Sequence, residues 1–241
     1  MSFKNGQKKA LTFSFDDGNE DDVRLVGLLN RYGLKGTFNL NAGLLSHTSS
    51  WNFEGGKEVR HINYTEHPHL YDGPEIACHT YTHPHLEALD AATLENEIVL
   101  DKKVLEYLYG CEIHGMALPF GSYNDAVIQA AAENGMAYCR TTWATQSFSP
   151  PDSLLLHPTC HFLDGNIGEL ARRFLESETK EPQLFYIWGH SYELVTEDDW
   201  AAFEGFCKSL SGREDIWYCT NIEAIKAIQN KETGRDNDEK L

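Results

Sequence analysis

Two adjacent carboxylates and a spaced pair of histidines are the residues in this chain best able to do chemistry together. Asp16 and Asp17 end the run LTFSFDDG (residues 11–18), and HTYTHPHL follows about sixty residues later with His79, His83 and His85. Two like charges held side by side are costly unless a cation, a proton or water offsets them. His79 and His83 are four apart, so one helical turn would set them on the same side, with His85 a rival to either. Two imidazoles and a carboxylate that leave one position open make a catalytic zinc site. His190 follows the apolar run LFYIWG, and a histidine at a strand mouth transfers protons near neutral pH. Taken singly, DDG is an ordinary turn, the histidine pair a surface feature and His190 a satisfied rim residue. Their combination points to metal-assisted hydrolysis.

The elements that must position these groups alternate. Leu11, Thr12, Phe13 and Phe15 form a first strand, and Val23, Leu25, Val26, Leu28 and Leu29 give one face of a helix closed by Gly33. Strands are expected over 35–40, 75–78, 113–118, 137–141, 154–160, 184–188 and 216–219, and helices over 93–109, 126–134, 167–178, 197–210 and 221–229. Residues 42–72 are aromatic and aperiodic and read as an elaborated loop of the kind that carries specificity. Such alternation predicts an α/β fold with a parallel sheet, a distorted (β/α) barrel of about seven strands. The chemistry should then gather at the C-terminal ends of the strands, where Asp16, Asp17, His79, His83, residues 119–121, Arg140 and His190 all fall. Residues 1–230 read as one catalytic domain and 231–241 as a polar tail.

Length and charge bound the function. The 241 residues suit one large α/β domain, and the net charge of −17 opposes phosphate backbones and anionic membranes, so neither nucleic acid nor membrane is an expected partner. No signal-peptide-like apolar stretch precedes the first strand, which leads to the expectation of a cytoplasmic protein. The six cysteines form no CxxC pair and read as buried free thiols.

In motif order the chain resembles the NodB-homology polysaccharide deacetylases, carbohydrate esterase family 4. SFDDG at 14–18 resembles the first family motif, HTYTH at 79–83 the second, LPFG at 118–121 part of the third and WGH at 188–190 the fifth. The resemblance implies metal-assisted removal of an N-acetyl group. Asp17, His79 and His83 would hold zinc or a similar divalent ion, Asp16 would be the general base and His190 the general acid. The Phe120 backbone N–H would join the ion in stabilising the oxyanion.

Three departures stand out. Ala117 occupies the place of the third-motif arginine that holds the base carboxylate, and Arg140, ending the next strand, is expected to supply that guanidinium instead. Trp143 matches part of the fourth motif, but no aspartate accompanies it to orient His190. Trp188 replaces a smaller aliphatic residue of the acetyl pocket, and His161 is a further candidate for substrate contact. The substrate is expected to be an N-acetylated carbohydrate, with Trp51, Tyr64 and Tyr81 as candidate sugar-stacking residues. A small non-sugar amide is the alternative, and a non-catalytic carbohydrate- or metal-binding module is a third reading that retention of Asp16 and His190 opposes.

Overall fold

The computed structural model describes residues 3–45, 50–151 and 153–232. In chain order the elements are β1 (Lys9–Asp16), α1 (Asp22–Arg31), β2 (Gly36–Leu40), β3 (Ser50–Asn52), β4 (Glu58–Arg60), β5 (Glu75–Cys78), α2 (Ala91–Tyr109), β6 (Gly115–Ala117), α3 (Asp125–Glu133), β7 (Tyr138–Arg140), β8 (Leu155–Leu156) and β9 (Cys160–His161). They continue with α4 (Ile167–Glu176), β10 (Gln183–Gly189), α5 (Glu197–Leu210), β11 (Ile216–Tyr218) and α6 (Asn221–Glu232).

The main sheet runs β8-β7-β6-β5-β2-β1-β10-β9, with β11 added to β1. Every pairing in it is parallel. β1 uses one edge for β10 and divides the other, taking β11 at Lys9–Leu11 and β2 at Phe13–Asp16. This is the expected distorted barrel, with nine strands rather than about seven. The expected strand over 154–160 is instead two short pieces, β8 and β9. Their polar groups go to the neighbouring loop, with the Thr145 and Gln146 amides donating to the Pro158 and Thr159 carbonyls. Within the expected loop 42–72, β3 and β4 form an antiparallel hairpin, and α6 extends into the expected polar tail as far as Glu232.

β1 is buried at every position, and its alternation sorts two interiors. Phe13 and Phe15 meet the Phe203 ring edge-on at 6.3 and 6.2 Å, beneath α5. Each such buried ring contributes roughly 1.5–3 kcal/mol. Thr12, Ser14 and Asp16 face the opposite way into a hydrogen-bonded lining. Thr12 Oγ1 donates to Asn221 Oδ1 (2.9 Å), and Asn39 Nδ2 donates to Ser14 Oγ (2.8 Å) and Asp16 Oδ1 (2.8 Å). The side of the strand beneath the strand ends is therefore polar and hydrogen-bonded, while its other face carries the apolar core.

Helix starts follow local chemistry. Asp90 accepts from the Ala92 and Thr93 amides at the head of α2, which stops at left-handed Gly110. Thr196 and Asp199 cap α5 reciprocally. All six cysteines are free, five of them buried and Cys111 exposed. No helix among the described residues is long and apolar enough to cross a membrane.

Gly115 pairs with Tyr138 across β6 and β7, and a Cβ on it would lie 2.0 Å from Tyr138 Cζ. Gly115→Ala should therefore destabilise the fold by roughly 1–3 kcal/mol and lower the thermal midpoint by several degrees. An unchanged melting curve would show that Tyr138 is not locked there.

Candidate active site and metal centre

The backbone turns out of β1 at Asp17 (φ 74°) and Gly18 (φ 56°). Left-handed geometry at a non-glycine residue costs of order 1–3 kcal/mol and persists only where the surroundings enforce it. Gly18 is required twice over, because its φ is positive and a Cβ would lie 2.7 Å from Leu40 Cδ2. The turn brings Asp17 into the cleft that Asp16 already faces.

His79 and His83 also meet, but not on a helical turn. Thr80 (φ 68°) and His83 (φ 61°) are left-handed, and the segment folds back on itself. The amides that a helix would need are engaged elsewhere. The His79 N–H donates to Leu40 O (2.9 Å) and Asp101 Oδ2 (2.9 Å), and the Tyr81 N–H to Glu97 O (3.1 Å). Asn41 Nδ2 donates to the His79 and Thr80 carbonyls at 2.5 and 2.8 Å, which completes the anchorage.

Asp17 Oδ1 lies 3.4 Å from His79 Nε2 and 3.6 Å from His83 Nε2, and the two Nε2 atoms are 3.1 Å apart. A tetrahedral ion with zinc-like bond lengths separates its ligand atoms by about 3.3–3.5 Å, so this donor set fits one divalent ion. His79 Nδ1 is 2.9 Å from Ala117 O. Nδ1–H donates there, leaving the Nε2 lone pair aimed at the cluster. Burial, aided by His79, pushes His83 down to about 4, so its imidazole is neutral and ready to ligate. His85 lies outside the set, stacked on Phe120 at 3.9 Å with its Nδ1 3.4 Å from Glu87.

Asp16 is held from two sides. Asn39 bonds Oδ1, and the Arg140 guanidinium donates to Oδ2. Arg140 is fully buried, its guanidinium 4.6 Å from the Trp188 ring. Arg140 is the register partner of Ala117, so it reaches the cleft from beside the position where the family motif has arginine. Burial raises the Asp16 carboxyl, but Arg140, His79 and His190 outweigh it and hold the group below the usual carboxylate range.

His190 Nε2 faces the same cleft, 3.9 Å from Asp16 Oδ2 and 3.8 Å from Asp17 Oδ2. Its other nitrogen, Nδ1, lies 3.3 Å from Glu193 Oε2, obliquely to a full hydrogen bond, and its backbone N–H donates to the same oxygen at 2.9 Å. Burial alone would lower the imidazole, yet Glu193 and the two aspartates raise it to about 9. Burial likewise opposes the Glu193 charge, which His161 and His190 restore by holding it down to about 2. Glu193 thus stands where a partner for His190 was missing from the sequence pattern. Its one sequence signal is the H-x-x-E spacing of a capping turn. Asp101 and Asn39 had no signal of their own.

The remaining candidates divide. Phe120 and Trp143 are exposed at the strand mouths, 54% and 67% respectively. Phe120 (φ 58°) bends the turn Pro119–Gly121. Trp143 packs edge-on against His157 at 4.8 Å and takes no part in orienting His190. Trp188 lies under Arg140 and edge-on to His161 at 4.7 Å. His161 Nε2 lies 3.0 Å from Glu193 Oε2 in an ion-pair contact. Trp51 packs against His61 and Tyr192, and the Tyr64 hydroxyl donates to Leu108 O, so both serve packing.

The fold is a distorted (β/α) barrel with a donor-lined cleft at its strand ends, and comparison with known proteins identifies its family. The polysaccharide deacetylase family model matches residues 3–139, more than half of the chain, and the chain belongs to that family. It is 26% identical over 134 residues to the uncharacterized protein YlxY of Bacillus subtilis strain 168, matching 56% of this chain and spanning 38% of that protein's length. A Mycobacterium smegmatis structure assigned as a polysaccharide deacetylase superposes with a TM-score of 0.68 at 18% identity, over 96% of this chain and 94% of that one. BA3943 of Bacillus anthracis, described as a pseudoenzyme of carbohydrate esterase family 4, gives 0.56 at 15% identity, over 90% of this chain and 66% of that one.

Titration with zinc or cobalt should find one ion per chain at the Asp17–His79–His83 cluster. Calorimetry should show His79→Ala weakening it by at least about 100-fold and Asp101→Asn, one shell out, by about 10–100-fold. Equal affinity in His79→Ala would place the ion elsewhere.

Proposed function

We propose that this chain hydrolyses the N-acetyl group of an N-acetylated carbohydrate, releasing acetate and the free amine. One observation carries the proposal: Asp16, held ionised by Arg140, and His190, held protonated beside Glu193, face a single cleft across the Asp17–His79–His83 donor set. A divalent ion bound there supplies Lewis acidity, polarising the amide carbonyl and rendering the attacking water acidic. Asp16 takes the proton of that water, which requires it to be ionised, and Arg140 and Asn39 fix the carboxylate in the attacking direction. His190 delivers its Nε2 proton to the departing nitrogen, because an amide releases amine far more readily than amide anion. Water adds across the C–N bond, acetate keeps the new oxygen, and solvent carries off the proton on Asp16 and returns one to His190 for the next turnover.

Carbohydrate is favoured over a small amide by the exposed rings of Phe120 and Trp143 at the mouth, which offer stacking faces to a sugar. Acetate release measured across N-acetylglucosamine oligomers and small amides, with and without a chelator, tests chemistry, chain length and metal need together. Turnover on oligomers that chelation abolishes is expected, and turnover confined to small amides would replace the carbohydrate assignment.

Asp16→Asn should lower turnover by roughly 10²–10⁴-fold with the ion still bound. A binding module would instead keep its ligand affinity and have no turnover to lose.

Arg140→Met should shift the acid limb of the rate profile. Arg140 lowers the Asp16 carboxyl, so without it the carboxyl titrates at higher pH and activity disappears sooner on acidification. Removing one partner of a buried pair also costs about 3–5 kcal/mol of stability, so profiles should be recorded well below the melting temperature. An acid limb that does not move would discard Arg140 as the partner of the base.

A further inference from the structure

The acid end of the cleft contains one histidine that the reaction above leaves unused. We propose that His161 is a positioning residue, fixing the orientation and tautomer of His190 through Glu193. The inference rests on the reading of His190 as the acid. The two ring nitrogens of His161 are distinguishable from their neighbours. Nδ1 is 3.1 Å from the Leu163 backbone nitrogen and accepts its N–H, so Nδ1 carries a lone pair. The ring proton is therefore on Nε2, which lies 3.0 Å from Glu193 Oε2 in an ion-pair contact.

This tautomer also decides the nature of the cluster. His161, His190 and Glu193 offer donor atoms within 4.8 Å of one another, a spacing that a second ion could use. A nitrogen that holds its proton toward a carboxylate has no lone pair for a metal, so the cluster is a chain of charge contacts centred on Glu193.

The ring of His161 has little freedom to adopt another arrangement. Its backbone N–H donates to Asp164 Oδ2 (3.1 Å), and Trp188 meets it edge-on. The Gly189 backbone closes the space beside it, where a Cβ would lie 3.0 Å from His161 Nε2 and 2.1 Å from Phe162. Glu193 Oε2 is thus pinned by His161 on one side and by the His190 backbone N–H on the other. A carboxylate fixed in this way draws the His190 proton to Nδ1 and turns Nε2 toward Asp16 and Asp17. Loss of the His161 contact would free the carboxylate to rotate and the His190 ring to leave its orientation toward Asp16 and Asp17.

The test uses ring-¹⁵N-labelled histidine in the full chain, read by long-range ¹H–¹⁵N correlation, which needs neither substrate nor metal. Wild type should show His161 protonated at Nε2 alone and a proton on His190 Nδ1. His161→Phe should broaden or shift the His190 ring signals, and His161→Gln, whose amide still donates, should restore them. On the substrate that wild type deacetylates, His161→Phe should lower kcat by about 10-fold or more, with KM within about 2-fold and one ion still bound, and His161→Gln should recover most of the loss. A His161 proton on Nδ1, His190 signals untouched in His161→Phe, or a second equivalent of zinc shifting the His161 resonances would each overturn the proposal. The expected tautomers in a protein that releases no acetate would support the chain of contacts and refute the deacetylase reading instead.

Discussion

Two neighbouring carboxylates at the end of a fully buried strand set the terms for everything above them. At 4 Å and an effective dielectric near 20, like charges repel by about 4 kcal/mol, and burial adds a desolvation cost to each. Asp16 and Asp17 nonetheless both lie below the usual carboxylate range. The barrel achieves this by giving each its own counter-groups. Asp16 receives a guanidinium and an amide from β7 and β2, while Asp17 is left to two imidazoles on the loop after β5. The two carboxylates thus differ in their partners before any difference in role is assigned to them.

Around that division the structure spends its polar groups on preventing movement. α2 contributes no group to the cleft, yet Glu97 and Asp101 on one of its faces hold the backbone of the histidine loop. Asp101 ties the Ala42 amide as well, so the loops after β2 and β5 are clamped to the same carboxylate. At the opposite wall, Ser191 beside His190 bonds Asn19 and Asp22, joining the loop after β10 to the one after β1. Rigid supports of this kind keep donor atoms a few tenths of an ångström from where an ion wants them.

Much of this was legible in the residues themselves. β1, the helices, and the cluster of polar residues at strand ends follow from periodicity and local chemistry. The approach of His79 to His83 was anticipated, but its cause was not. Left-handed Thr80 and His83 arise because Asn41, Glu97 and Asp101 claim the local polar groups, and those claims depend on how distant elements dock. Glu193 was hidden for a related reason. A glutamate three residues after a histidine reads as an ordinary helix cap until Gly189 and Trp188 bring His161 against it from β9. Arg140 was expected to replace the missing guanidinium beside Asp16, and the inter-strand register is what carries it there.

That register has a consequence for how such proteins diverge. Adjacent strands of a sheet are separated by about 4.8 Å, so paired residues such as Ala117 and Arg140 present their side chains to nearly the same point in space. A cation can migrate across the ladder without leaving the cleft, although in the linear order it has jumped over an entire helix. The third motif alone lacks its arginine, yet the register sets a guanidinium from the next strand at the same carboxylate.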